Sequence, residues 1–590
     1  MNKITGCLLS NRYIGIDHEE LSALELIGKI IDKTNELVDS TNDDRNSIKG
    51  KLSKEEYYHD INNIRKIDGD GDFTGSWFGI TRPEYADETQ GAVLKNHTDR
   101  LDEIERYNEE RKSHLFVDVR DFGAVGDGVT DDSSAIQEAL NFCLKNGRDL
   151  VLGGSGTYCI SKPLSIIPTD PITSIPEPEI HFTPLKIVNV AARNGARLKA
   201  IKKMDAMIKV EANHGIQTLG SWYFNCEGVT LDGNNLATTG IYLNYIFHAT
   251  ISNCRIFRLE TGIKSDTSVG TKIQHCVISA KYCIHVPTGG DGWVKFNDLY
   301  PLENGRAIWL GGYAGNYHIL DNVISANKDS GVTMGVFIDG TYTTTEGVNW
   351  PNAMVNVNGN EFSSCIVGVK AVGQSEINKS VWGVNIVNNH FTSSFDSLTT
   401  PVCIDVAFAF NVNISENYIN THRGSSQYIG VKLTSCDGVS IKNNKFDNFN
   451  ANCIDCYNST KSRITSNEFW NFGKTNRGFS AILLRGENCS SNFIESNVYR
   501  NDLASYGQFG VIESYGADYN ICKNDVFVMN VDGYSTPSVN SVMRRYEEKV
   551  SQPSSTVGYH NGDIVTLKTP LPNGVYGYVL NGEWKELSHR

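Results

Sequence analysis

Asp298, Asp321, Asp339 and Glu346 are the acids around which a hydrolytic site could be built. Asp298 directly follows an Asn that recurs along the chain, and Asp321 directly precedes the next one. Asp339 and Glu346 lie in FIDGTYTTTEGVNWPN, part of the longest segment between two such Asn. Glycosidic hydrolysis needs two carboxyls, about 5 Å apart for retention and about 6.5–9.5 Å for inversion. If the recurring Asn mark rungs stacked at about 4.8 Å, acids on adjacent or alternate rungs fall near those separations. Any stacked acidic pair would do so, which leaves open the plainer reading of rim carboxylates and turn caps. Beside the acids stand His285, Trp293, Trp309, Tyr313 and Trp350, with Tyr242, Tyr300 and Tyr317 close in sequence. Exposed in one strip, these rings would suit stacking on sugar or a subunit contact. His275 and His318 read as structural.

The repeat that would position these residues is an apolar residue, two variable positions, Asn, one variable position and another apolar residue. Ile319-x-x-Asn322-x-Ile324, Ile386-x-x-Asn389-x-Phe391 and Ile441-x-x-Asn444-x-Phe446 are examples. The anchors are Cys254, Cys276, Asn297, Asn322, Asn360, Asn389, Asn417, Asn444, Asn467, Asn497 and Asn524. A small residue followed by Ile or Val recurs after each, as in Gly262-Ile263, Gly331-Val332 and Gly430-Val431. Apolar runs of period two, with no helical stretch between them, predict a β-solenoid of about eleven coils, roughly 50 Å long. A propeller is disfavoured because no Trp-Asp or Gly-His signature recurs. The position after each small-Ile pair would form an outward column: Tyr242, Lys264, His285, Trp309, Thr333, Lys370, Asp405, Lys432, Asp455. Its lower part reads as a surface charge ladder.

The solenoid needs a closed end. DVRDFGAVGDGVTDDSSAIQEALNFCLKN (118–146) reads as strand, Gly-rich turn and capped helix. Asp131, Asp132 and Ser133 are N-cap candidates, and Ile136, Leu140, Cys143 and Leu144 make one apolar stripe. This stretch resembles the opening motif of the pectate-lyase-like superfamily, F-G-A-x-G-D-G-x-x-D-D-x-x-A-I-Q-x-A. The resemblance implies a mainly β chain whose residues 115–530 form a capped, right-handed, single-stranded parallel β-helix. The motif is a cap and carries no reaction.

Residues 1–114 differ in texture. Leu24, Ile27, Ile31 and Val38 approximate heptad spacing, as do Leu94, Leu101 and Ile104, which predicts short helices. They pack within one subunit or as a coiled coil between subunits. Asp68, Asp70 and Asp72 hint at a calcium loop, but Gly79 stands where the bidentate Glu belongs. GSWFGITRP is similar to stretches of virion proteins of Gram-positive phages. Residues 531–590 read as a small β segment with turns at Asn561-Gly562, Asn573-Gly574 and Asn581-Gly582.

The net charge of −14 argues against general binding to nucleic acid or anionic membrane. No 18-residue apolar run or secretory h-region is present, so no membrane insertion is expected. Several of the 14 cysteines fall in apolar repeat positions, and the lone Cys453-x-x-Cys456 is a poor zinc signal, so reduced, buried thiols are expected. Together the cap, the repeats and the N-terminal module resemble a phage tailspike or tail appendage. That resemblance implies a homotrimer of the virion tail, made in host cytoplasm and joined to other tail proteins through residues 1–114. It also implies that the β-helix binds and hydrolyses a host exopolysaccharide, capsule or wall teichoic acid. A non-catalytic receptor binder and a polysaccharide lyase are the alternatives. No cofactor is expected, although a teichoic acid would call for local Lys/Arg or a divalent metal.

Overall fold

The computed structural model describes residues 116–588 apart from 168–185, 193–194, 212–221, 327–332, 344–351, 378–379, 394–399, 422–426, 477, 529, 536–539, 550–563, 568–574 and 582. The chain divides into two units at Lys112/Ser113. The helices, the loop around Asp68–Asp72 and the virion-like segment expected before residue 115 lie outside the described residues, as do Glu346 and Trp350.

The cap forms from its turn chemistry. Gly126 has φ +68, and a Cβ there would meet the ring of the buried Tyr158 at 2.9 Å. The Asp132 carboxylate accepts the backbone N–H groups of Val125 and Gly126 at 2.6 and 3.2 Å, pinning the turn to the helix start. The helix, Ser133–Asn146, buries Ile136, Ala139, Leu140 and Cys143 and ends at Gly147, φ 62. Its apolar face covers the end of the core, with Val119, Leu150, Leu152 and Leu164 in the same cluster.

Beyond the cap the chain winds a parallel β-helix, and every rung repeats one local event. A short strand such as Trp293–Lys295 or Asn385–Val387 ends at one left-handed residue. That corner falls at Asn253, His275, Phe296, Asp321, Asn388, Glu416, Asn443, Ser466, Ser496 and Asn524, with φ between 53° and 59°. The next side chain then turns inward. From Asn297 to Asn467, each Asn donates its Nδ2 to the Oδ1 of the Asn one rung on, at 2.9–3.0 Å. The same Oδ1 accepts the backbone N–H of the previous Asn. Each Nδ2 also donates to a carbonyl of the preceding strand, for example Asn389 to Val357. Every amide of this column is thereby paired. The column ends on Asp525, which accepts Asn497 N and Nδ2 at 2.7 and 3.1 Å. The expected anchor Asn524 is instead a corner residue, because Cys522 pairs with Ile494 and shifts the repeat by one.

Two residues after the Asn column, rings stack inward: Phe362 on Phe391 at 4.7 Å, then Phe446, Phe469, Tyr499 and Phe527 at 4.9–5.1 Å. These rings explain the recurring small residue on the third face of each rung. A Cβ on Gly368 would meet Phe391 at 2.7 Å, and one on Gly335 would meet Phe362 at 2.6 Å. Gly335-Val336 is therefore the true pair of its rung, and Phe337 replaces the expected Thr333 in the outward column. The register runs Tyr242, Lys264, His285, Trp309, Phe337, Lys370, Asp405, Lys432, Asp455. Its lower part is the expected charge ladder, with Lys370 to Asp405 at 3.9 Å and Arg485 bidentate on Asp455 at 2.8 and 3.1 Å.

All 13 described cysteines are free and buried. Burial pushes the Cys453 and Cys456 thiols well above their ordinary range. No described helix is long and apolar enough to cross a membrane. After the last rungs, Val542–Lys549 pairs in parallel with Ile564–Leu567, and the turns expected at Asn561-Gly562 and Asn573-Gly574 lie outside the described residues. Ile564–Leu567, Val575–Asn581 and Glu583–Ser588 then pair antiparallel, the last two around Asn581-Gly582.

Burial pushes the Asp525 carboxyl from 3.8 up to about 7, with Tyr534 and Tyr499 hydroxyls donating against that trend. A carboxyl whose folded pKa is raised contributes stability that is whole below about pH 4 and is lost as pH rises to about 7. Asp525→Asn, which restores the amide chemistry of the rest of the column, is expected to resist urea better than the natural chain by at least about 1 kcal/mol at pH 8. The advantage should shrink steadily from pH 7 to pH 4; an advantage independent of pH would refute this account.

Candidate functional site

The third face carries the aromatic site. His285 and Trp309 occupy the same outward column on adjacent rungs, and their rings stack at 4.0 Å with an 8° tilt. Tyr282, at the start of the same strand segment, tilts against Trp309 at 5.4 Å. Arg306, its register partner one rung on, lays its guanidinium over Trp309 at 4.0 Å and over Phe337 at 4.6 Å. Tyr342 folds back from the turn after Met334–Asp339 and meets both His285 and Trp309 edge-on, at 6.1 and 5.9 Å. His285 is consequently buried, while Tyr282, Arg306, Trp309 and Tyr342 keep partial exposure.

Asp339 ties this cluster down. It is buried, accepts the Trp309 indole N–H at 3.2 Å, and caps its own turn by accepting Thr341 N and Oγ1 at 3.1 and 2.6 Å. Burial, with repulsion from Lys264 and Arg306, drives the His285 imidazole down to about 3, so it is neutral near pH 7. Its Nε2 has no hydrogen-bond partner among the described residues. Asp266 accepts Thr288 Oγ1 at 2.9 Å and pairs with Lys264 at 3.6 Å; burial, with the charges of Asp266 and Asp339, raises the Tyr342 pKa.

The other expected acids fall elsewhere. Asp298 opens the strand after the Asn corner, between Val277 and Val323 of the neighbouring rungs. Asp321 is itself a corner residue, with Gly359 beneath it, where a Cβ would lie 2.3 Å from its Oδ1. The two lie on opposite sides of the Asn column, so the stacked pair expected between them does not form. Geometry also divides the aromatic strip. Trp293 lies on the face before the corner, stacked on His318 at 5.8 Å under Lys272, whereas Trp309 lies on the third face. Tyr317 is not exposed at all; it fills the core, in space left by Gly292. Tyr313 continues the Trp309 strand, its backbone paired with Thr288. His275 stacks on Phe296 at a corner, the structural role expected of it.

Arg306, Tyr282, Phe337, Tyr342 and Asp266 were missed by sequence reasoning. The first three had an available signal, since Arg306 and Tyr282 each directly precede a small-Ile pair and Phe337 directly follows Gly335-Val336. Farther along the same face an open groove is lined by Asp455, Tyr457, Arg485, Glu487 and Tyr515, its arginine already paired with Asp455.

If Tyr342 is what shields His285, then Tyr342→Ala should raise the His285 pKa from about 3 by at least one unit toward its ordinary 6.5. The titration of histidine ring signals in carbon-13-labelled protein reads this directly, and an unmoved resonance would contradict it.

Comparison with known proteins agrees with this architecture. Residues 116–175 match the family model described as rhamnogalacturonase A/epimerase, pectate lyase-like. No curated protein matches the sequence. Among solved structures, the tailspike of E. coli bacteriophage HK620 in complex with pentasaccharide superposes with a TM-score of 0.51 at 9% identity, covering 73% of this chain and 81% of that one. The mannuronan C-5 epimerase AlgE4 A-module of Azotobacter vinelandii is 16% identical over 72% of this chain and 99% of its own, with a TM-score of 0.34. The surface adhesin PfbA of Streptococcus pneumoniae is 15% identical over 80% and 100%, with a TM-score of 0.42. Residues 116–175 are thus similar to the pectate-lyase-like family model, and the chain winds a parallel β-helix of the same fold as the HK620 tailspike.

Proposed function

We propose that this chain is a virion tail appendage that binds a host surface glycopolymer on its third face and depolymerises it. In this reading it works as a homotrimer joined to other tail proteins through residues 1–114. The observation that carries the reading is the part-exposed ring platform of Tyr282, Trp309 and Tyr342, locked by Asp339 onto a stack of parallel strands. Aromatic faces held rigid at a surface suit the apolar faces of sugar rings, because little side-chain freedom is lost on binding. The shared fold of the pentasaccharide-bound HK620 tailspike supports a glycan ligand.

Cleavage would fall to Asp339 and Asp266, with Glu346, which lies outside the described residues, as a further candidate acid, rather than to Asp298 and Asp321. A pure binding appendage is favoured by one specific observation, that both Asp339 oxygens are already engaged by Trp309 and Thr341.

Incubation with purified host envelope polymer decides between these readings. Chains should shorten, and Asp266→Asn or Glu346→Gln should slow shortening by about 100-fold or more while leaving binding in place. Unshortened polymer with intact binding selects the binding appendage, and an ultraviolet-absorbing unsaturated product would instead identify a lyase. Trp309→Ala should weaken polymer binding about tenfold in either case; unchanged binding would rule out this face.

A further inference from the structure

We infer that the third-face platform recognises an acidic sugar residue, one bearing a carboxylate or phosphate, through the guanidinium of Arg306. The inference rests on the reading of this face as a glycan platform and adds the charge class of its ligand. Arg306 lies between Tyr282, Trp309 and Phe337, at 5.7, 4.0 and 4.6 Å from their ring centres. It has neither an ion pair nor a hydrogen-bond acceptor among the described residues. In an acidic chain of net charge −14, whose other third-face cations are largely matched, that is unusual. Lys264 pairs with Asp266 at 3.6 Å, Lys370 with Asp405 at 3.9 Å, and Arg485 with Asp455 at 2.8 Å. Asp339, whose charge is felt by Arg306, makes no ion pair with it and is bonded instead to Trp309 and Thr341.

A guanidinium pressed flat on aromatic rings keeps its edge free, and that edge presents paired N–H donors that match a carboxylate or phosphate. Burial already lowers the Arg306 pKa, the mark of a cation that has given up water without yet gaining a counter-ion. Two neighbours complete the arrangement. Lys281, over Tyr282 at 5.4 Å, is a second cation without a carboxylate among the described residues. The His285 ring, neutral and buried beneath Trp309 and Tyr342, adds no charge of its own to the patch. Ring stacking supplies affinity for any sugar; Arg306 supplies the preference for an anionic one.

The test uses the full-length protein on a printed panel of bacterial surface polysaccharides and teichoic acids that carry carboxylate, phosphate or no charge. Retained members should be anionic, and which of the two groups they carry identifies its source. Retention should fall at least about tenfold between roughly 0.05 and 0.5 M NaCl. Arg306→Gln should reduce it by about tenfold or more. Arg306→Lys, which keeps the charge but not the flat fork, should recover only part of it. Thermal melts of both variants check that they fold. Retention of neutral members alone, or anionic retention that Arg306→Gln leaves unchanged, overturns the inference while the glycan reading stands. No retention at all, or retention indifferent to Trp309→Ala, overturns the glycan reading and this inference with it.

Discussion

A column of side-chain amides running down the inside of the solenoid sets the vertical register of everything else. Each Oδ1 serves two donors from the rung before, and each Nδ2 serves two acceptors. An unpaired amide in this interior would cost about 1–3 kcal/mol, so slipping one rung against the next would forfeit several such bonds at once. The left-handed corner before each Asn follows from the same constraint: it turns the chain so that the amide points inward. Stacked rings two residues later reinforce the pitch, and the small residue on the third face yields them space.

The surface site is a by-product of that regularity with one irregular addition. Tyr282 and Arg306, and likewise His285 and Trp309, are partners across adjacent rungs although they stand 24 residues apart. What turns this ladder into a platform is the turn after Asp339, which returns Tyr342 over the rings and gives the indole N–H an acceptor. Electrostatics then follow from burial. The same loss of water that keeps His285 neutral leaves Arg306 charged but poorly compensated, and so concentrates positive potential on one small patch of an acidic molecule.

Most of the fold was legible because the repeat is written in residue types that only one environment accepts: Asn within, an apolar residue on either side, a small residue opposite a ring. It became ambiguous where two segments offered the same letters. Gly331-Val332 and Gly335-Val336 read alike, and only the fit of Gly335 against the Phe362 ring chooses between them. Asn524 matched the expected letter while Asp525 holds the position, because an aspartate can accept the same two bonds. Tyr317 looked like one more surface ring until Gly292, 25 residues earlier, is seen to leave it a cavity. The site was legible in part. His285 and Trp309 follow from period and register, and Asp339 lies in the long segment that drew notice. Tyr342 depends on how a turn folds back, which no periodicity encodes, whereas Arg306 and Asp266 hold regular positions on their strands. Asp298 and Asp321 lie close to the Asn column without aligning along it, because the corner separates them.

The distance along the chain between successive Asn varies from 23 to 38 residues, yet the bonds joining them do not change length. Extra residues are accommodated between the strands and leave the interior spacing untouched. Segments bounded by two corners are therefore interchangeable parts. Recombination between related genes could replace one with a longer or shorter version, altering what the outer surface recognises while neither neighbouring turn of the spiral has to readjust.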